Sequence, residues 1–306
     1  MIKQPFEERN KVFIISAGRT GTHYFASELS RIIPGCFSVH EPDNIQWDGR
    51  RHPIIHAVKH CRTYGGFRNL VFLKALGLTG ARNHSINRLG GTIEKRDLLV
   101  RFCGERKWTE NLECSLYVES NQQLFGISED LLDLPNSRVA YFVRNPVDWI
   151  RSYMNLHAGN RSIGLYGDGD WLSRINKLGF RRLTPGSVGL VDNDWQRRSR
   201  AEKLAWYWNY VNTIFLKVLE KGREEVRIYK YEDFFKQKDE RTQRDFLAFI
   251  TGSEVSRLSE ILKRLVESLE IKIDISDGGS GWDFSEGEEA FVMEICGDLM
   301  SRLGYK

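Results

Sequence analysis

The stretch KVFIISAGRTGTHYF, Lys11 to Phe25, decides the reading of this chain. Val12-Phe13-Ile14-Ile15 is an unbroken apolar run, which fits a parallel strand buried on both faces. It stops at Ser16-Ala17-Gly18-Arg19-Thr20-Gly21-Thr22, after which Phe25, Ala26, Leu29 and Ile33 recur on one helical face until Pro34-Gly35 ends it. Strand, glycine loop and helix form the layout of a phosphate cradle. Glycines let backbone N–H groups point into a shared anion site, the helix start adds its positive end, Thr20 and Thr22 add hydroxyls, and Arg19 adds a fixed charge. A plain tight turn is the simpler alternative, but it needs neither the cation nor the hydroxyls. A nucleoside triphosphate loop ends in Gly-Lys-Ser/Thr; here Thr22 and His23 follow Gly21 and the loop holds no lysine.

Working outward, 306 residues suit one large α/β domain with insertions or two small ones. Basic and acidic residues, 45 against 41, are too balanced for general nucleic-acid binding but permit a local basic pocket. Five scattered cysteines without a Cys-x-x-Cys pair read as reduced thiols. The charged MIKQPFEERNKVF start is unlike a signal peptide, and no run approaches the roughly 20 apolar residues of a membrane span. A cytoplasmic protein is the expectation.

Further short strands are expected at Cys36 to Val39, Leu70 to Ala75, Leu116 to Val118, Arg138 to Val143 and Val226 to Tyr229. Helices are expected at Ser128 to Leu134, Val147 to Leu156, Asp194 to Lys221, Thr242 to Ile250, Glu254 to Leu269 and Glu286 to Leu303. The stretch from 44 to 113 reads as irregular. Strands separated by helices imply an α/β three-layer sandwich around a mostly parallel sheet.

Two further groups carry chemistry. Arg144-Asn145-Pro146-Val147-Asp148 closes a strand, and Ser152 follows Arg144 by about two helical turns, so both can meet one oxyanion. The alternative is an Arg–Asp pair capping the helix. His40-Glu41-Pro42 ends the second strand beside the loop, where a carboxylate or imidazole can take a proton. Glu41 can equally be a cap or a partner of Arg19.

These motifs resemble the sulfotransferase superfamily, in which such a loop grips the 5′-phosphosulfate of 3′-phosphoadenosine 5′-phosphosulfate (PAPS). The resemblance covers about 11–42, 117–157 and 200–305. It implies a single domain over 1–306, with insertions at about 43–116 and 158–198 that set acceptor specificity. It further implies that Arg19, Thr20, Gly21, Thr22 and the His23 backbone hold the phosphosulfate, and that Arg144 and Ser152 hold the 3′-phosphate. Glu41, with His40 second, becomes the base toward a small-molecule or glycan hydroxyl acceptor, with Arg19 stabilising the leaving phosphate and no metal required.

Softer parallels include Glu119-Ser120-Asn121 near the acceptor, which can equally be an ordinary polar loop, and Gly281-Trp282 against the nucleotide, although Trp282 can equally anchor the last helix. In Tyr231-Glu232-Asp233, Glu232 or Asp233 is expected to cap the next helix. The His52, His56, His60 stripe reads as solvated or substrate-facing rather than as a zinc site, and Arg197-Arg198-Ser199-Arg200 as a helix start. Trp47, Trp108 and Trp171 are candidates for stacking on an acceptor. A P-loop kinase or NTPase, and a non-catalytic nucleotide-binding protein, remain the alternatives.

Overall fold

The computed structural model describes residues 4–43, 77–155, 165–167, 182–253, 258–272 and 282–305. Strands β1 (Asn10–Ser16), β2 (Cys36–His40), β3 (Leu116–Ser120), β4 (Ser137–Val143) and β5 (Val226–Lys230) form one sheet in the order β2-β3-β1-β4-β5. Every neighbouring pair is parallel, with Val12 opposite Val118 on one side and Arg138 on the other.

Helices cover both faces, which explains the unbroken apolar run of β1: Val12, Phe13, Ile14 and Ile15 are all fully buried. Val12 and Ile14 pack with Phe25 and Leu29 of α1 (Thr22–Ile32). Phe13 and Ile15 face the other way, into the core completed by α3 (Lys95–Glu105), α4 (Pro146–Met154), α5 (Arg200–Leu219) and α8 (Glu286–Arg302). α6 (Glu240–Thr251) and α7 (Ser259–Lys272) join α1 on its face. Two buried faces make the expected α/β three-layer sandwich.

Several expectations are corrected. The stretch from 77 to 115 is not irregular: it holds α2 (Ala81–Leu89) as well as α3. The segment from Ser128 to Leu134 gives only a 3-10 turn at Asp130–Asp133, because Pro135 follows too soon for a helix. α5 starts at Arg200, not near Asp194, since Ser199 and Glu202 form a reciprocal capping box. The expected strand from Leu70 to Ala75 lies outside the described residues. Among the described residues no helix is long and apolar enough to cross a membrane.

Candidate active site

Because β3 and β4 flank β1, the chain leaves a crevice beyond the carboxyl end of β1, the usual place for a ligand in such a sheet. A cavity of about 610 Å³ lies there, and Arg19, Gly21, Thr22 and His23 line one side of it. Gly18, Arg19 and Gly21 adopt left-handed φ values of 94°, 57° and 78°. That sequence of bends turns the backbone sharply, so that α1 starts at Thr22 with Gly21 as its N-cap. Gly21 caps without a side-chain bond, leaving the N–H groups of the first turn, in residues that line the cavity, for an anion. A β-carbon at Gly21 would stand 2.4 Å from Phe235 Cζ, which is why only glycine fits.

Thr22 lines the cavity as expected, whereas Thr20 does not: its hydroxyl is buried, with no hydrogen-bond partner among the described residues. The loop is pinned from below by the Trp149 indole, which donates to Gly18 O at 2.7 Å, and by Tyr153 OH, 3.4 Å from Ala17 O.

The second group meets the first. Arg144, just past β4, donates to Arg19 O at 3.1 Å and lies over the Tyr231 ring at 4.5 Å. Ser152 on α4 accepts a 3.0 Å bond from Arg19 Nε. All three side chains line the same cavity. Asn145 caps α4 by accepting from Val147 N at 3.0 Å, and Asp148 pairs with Lys236 at 2.7 Å, so Arg144 is not the partner of Asp148.

The wall beside the loop carries His40 and Glu41. His40 Nδ1 lies 3.0 Å from Ser120 O. A carbonyl only accepts, so Nδ1 carries the proton and Nε2 of the neutral ring keeps a lone pair. His23 lies against His40, with ring centroids 3.8 Å apart and ring planes tilted by 44°. Glu41 is buried and held at φ 38° in the left-handed region, with its N–H bonded to Ser120 O at 3.1 Å.

Electrostatics here are dominated by burial. It lowers the Arg19 pKa from its ordinary value, and neighbouring Arg144 works in the same direction. The same cause, helped by His40, pushes His23 down to about 4. Tyr153, fully enclosed, is pushed up to about 12, with Arg19 opposing the shift.

Glu119 and Asn121 are not cavity residues. Both are fully buried in an ionic network beneath it, where Arg106 donates to Glu119 at 2.8 and 2.6 Å and Asn121 bridges Glu119 and Asp43. Glu232 accepts from Asn145 N and Tyr305 OH, and Asp239 rather than Glu232 or Asp233 caps α6. Trp282 does not line the cavity; it packs beside Phe284 against the core, and Gly281 lies outside the described residues. Trp108 packs against Phe37 and Tyr117 instead of facing an acceptor. Trp47, Trp171, His52, His56 and His60 lie outside the described residues, and among those described no cluster of three metal-ligating side chains occurs.

The cavity also contains Arg82, Gln122, Gln123, Arg182 and Tyr207, which the motifs did not announce, and Tyr231 of the Tyr-Glu-Asp run, for which no site role was expected. Tyr231 lies next to Glu232 and Asp233 in sequence, and Tyr153 next to Ser152, so adjacency was their available signal. No family model matches the chain, and no curated protein does. A solved sulfotransferase structure from Alicyclobacillus acidocaldarius is similar to it at 17% identity, covering 98% of this chain and 97% of that chain, with a TM-score of 0.42. Likeness at that level carries no weight for function.

Proposed function

We propose that the chain is a PAPS-dependent sulfotransferase acting on a hydroxyl acceptor. One observation carries the reading: Arg19 of the glycine loop bonds Ser152 at 3.0 Å while Arg144 bonds the Arg19 carbonyl, so two motifs over 120 residues apart build one cationic site. The cavity chemistry fits a donor with two separate anionic ends. A helix start, Thr22 and Arg19 suit the phosphosulfate, and Arg144 with Ser152 suits the 3′-phosphate.

In the step itself the acceptor O–H gives its proton to Glu41, and the oxygen lone pair forms the new bond to sulfur. The bond from sulfur to the 5′-phosphate oxygen breaks, and its electron pair leaves with 3′-phosphoadenosine 5′-phosphate (PAP). Arg19 and the loop N–H groups hold the charge that grows on that phosphate. Loss of such a contact typically costs about 10²–10³ in kcat. His40, with Nε2 unprotonated in its neutral form, is the second candidate for the base.

Glu41→Gln and His40→Gln separate the two. For the true base, kcat falls about 10²–10⁴-fold while PAP affinity stays within about twofold, a ratio worth under ~0.5 kcal/mol. If neither variant slows turnover, both assignments fail. Absence of turnover by the parent on any acceptor favours a binding protein.

A further inference from the structure

The sheet order places one cavity residue between the two halves of the proposed reaction. His40 ends β2 and Glu41 follows it, the glycine loop follows β1, and β3 lies between those two strands. Just past β3, three consecutive residues each tie a different neighbour. Ser120 O accepts from Glu41 N at 3.1 Å and from His40 Nδ1 at 3.0 Å. Asn121 N donates to Ile14 O of β1 at 2.9 Å. Gln122, which opens a 3-10 turn from Gln122 to Leu124, turns to the loop: a β-carbon at Gly18 would run into its Oε1 and into the Tyr153 hydroxyl.

The Gln122 amide is held in one orientation. Tyr153 OH donates to its Oε1 at 3.1 Å, and the residue is half-buried in the cavity lining. An amide whose oxygen is engaged in this way keeps two N–H donors on Nε2. Among the described residues those donors have no partner. A fixed, unpartnered donor between the loop and the His40-Glu41 pair suits an oxygen of a group passing from one to the other.

We propose that Gln122 is a further catalytic residue. On the sulfotransferase reading above, on which this rests, Gln122 Nε2 donates to a sulfuryl oxygen of PAPS and holds that group in line with the acceptor hydroxyl, while Tyr153 is the positioning residue for the amide. Gln122 takes no proton and forms no covalent bond, so the balance of the step is unchanged. Being neutral, the amide orients the sulfuryl group without competing with Arg19 for the charge that moves to the leaving phosphate.

PAPS carries the sulfuryl group and PAP lacks it, so calorimetric titration of both nucleotides into the intact chain tests the role without an acceptor. Gln122→Met keeps length and neutrality but has no donor; it should weaken PAPS binding about tenfold and leave PAP affinity within about twofold. Tyr153→Phe should lower the ratio of PAPS to PAP affinity in the parent, and should leave that ratio unchanged in the Gln122→Met background. Equal losses for PAPS and PAP in Gln122→Met would make Gln122 a support of the loop, and an unaltered PAPS affinity would remove its role; either result overturns the inference. A ratio that Tyr153→Phe lowers equally in both backgrounds overturns the positioning role of Tyr153. Failure of the parent to bind either nucleotide overturns the donor reading itself.

Discussion

Arg19 and Glu41 are among the few non-glycine residues held at positive φ, at 57° and 38°, and both line the cavity. Each such conformation costs on the order of 1–3 kcal/mol and persists only where the surroundings impose it. For Arg19 those surroundings are the bonds to Ser152 and Arg144; for Glu41 they include the shared acceptor Ser120 O, which also accepts a hydrogen bond from His40 Nδ1. Gly21 is subject to the tightest constraint. Gly21→Ala combines a φ of 78° with a 2.4 Å approach to Phe235, and should cost about 1–3 kcal/mol in urea unfolding as well as weakening PAP binding. A variant as stable and as tight as the parent would mean the loop is not held as described. At this scale the sequence was informative about the loop, because its chemistry is local. It was silent on Arg82 and Arg182, which reach the cavity only through where distant segments place them.

At the scale of elements, the ends of the strands are held by a buried ionic network rather than by apolar packing alone. Arg106, at the end of α3, binds Glu119 of β3 and reaches Asp43, which in turn caps α2. Thus the strand end that carries Ser120, and the turn that carries Glu41, are fixed to the helices beyond them. Arg106→Met strands two buried carboxylates and should destabilise the protein by about 3–5 kcal/mol; adding Glu119→Gln should recover part of that loss. Additive effects of the two substitutions in a denaturant double-mutant cycle would contradict the coupling. This network explains why α2 was missed in the sequence. Asn83, His84 and Ser85 are buried with polar partners such as Thr79 O, Glu105 and Gln123 O, so the helix has no apolar stripe to recognise. The sequence reading also missed α3 and the start of α5, although Leu98 and Phe102 lie one turn apart and Ser199 and Glu202 have the spacing of a capping box.

For the whole molecule, the parallel sheet was legible because four of its strands are dominated by apolar runs with helical spacing between them, and both faces are covered. Strand order was not legible, since β3 joins β1 across about 100 residues of intervening chain. That order nevertheless makes the site: inserting β3 between β2 and β1, with β4 on the far side, brings the loop, His40 with Glu41, and Arg144 to one crevice. The central claim is that this crevice is a cradle for a 3′-phosphorylated adenine nucleotide. Calorimetric titration of PAP, beside magnesium-ATP, on the parent and on Arg144→Ala tests it most directly. The account predicts binding of PAP in preference to magnesium-ATP, weakened by about 10–100-fold in the variant, the loss of a charge-assisted contact of roughly 1.5–3 kcal/mol. Preference for magnesium-ATP, no binding of either nucleotide, or PAP binding indifferent to Arg144 would contradict it.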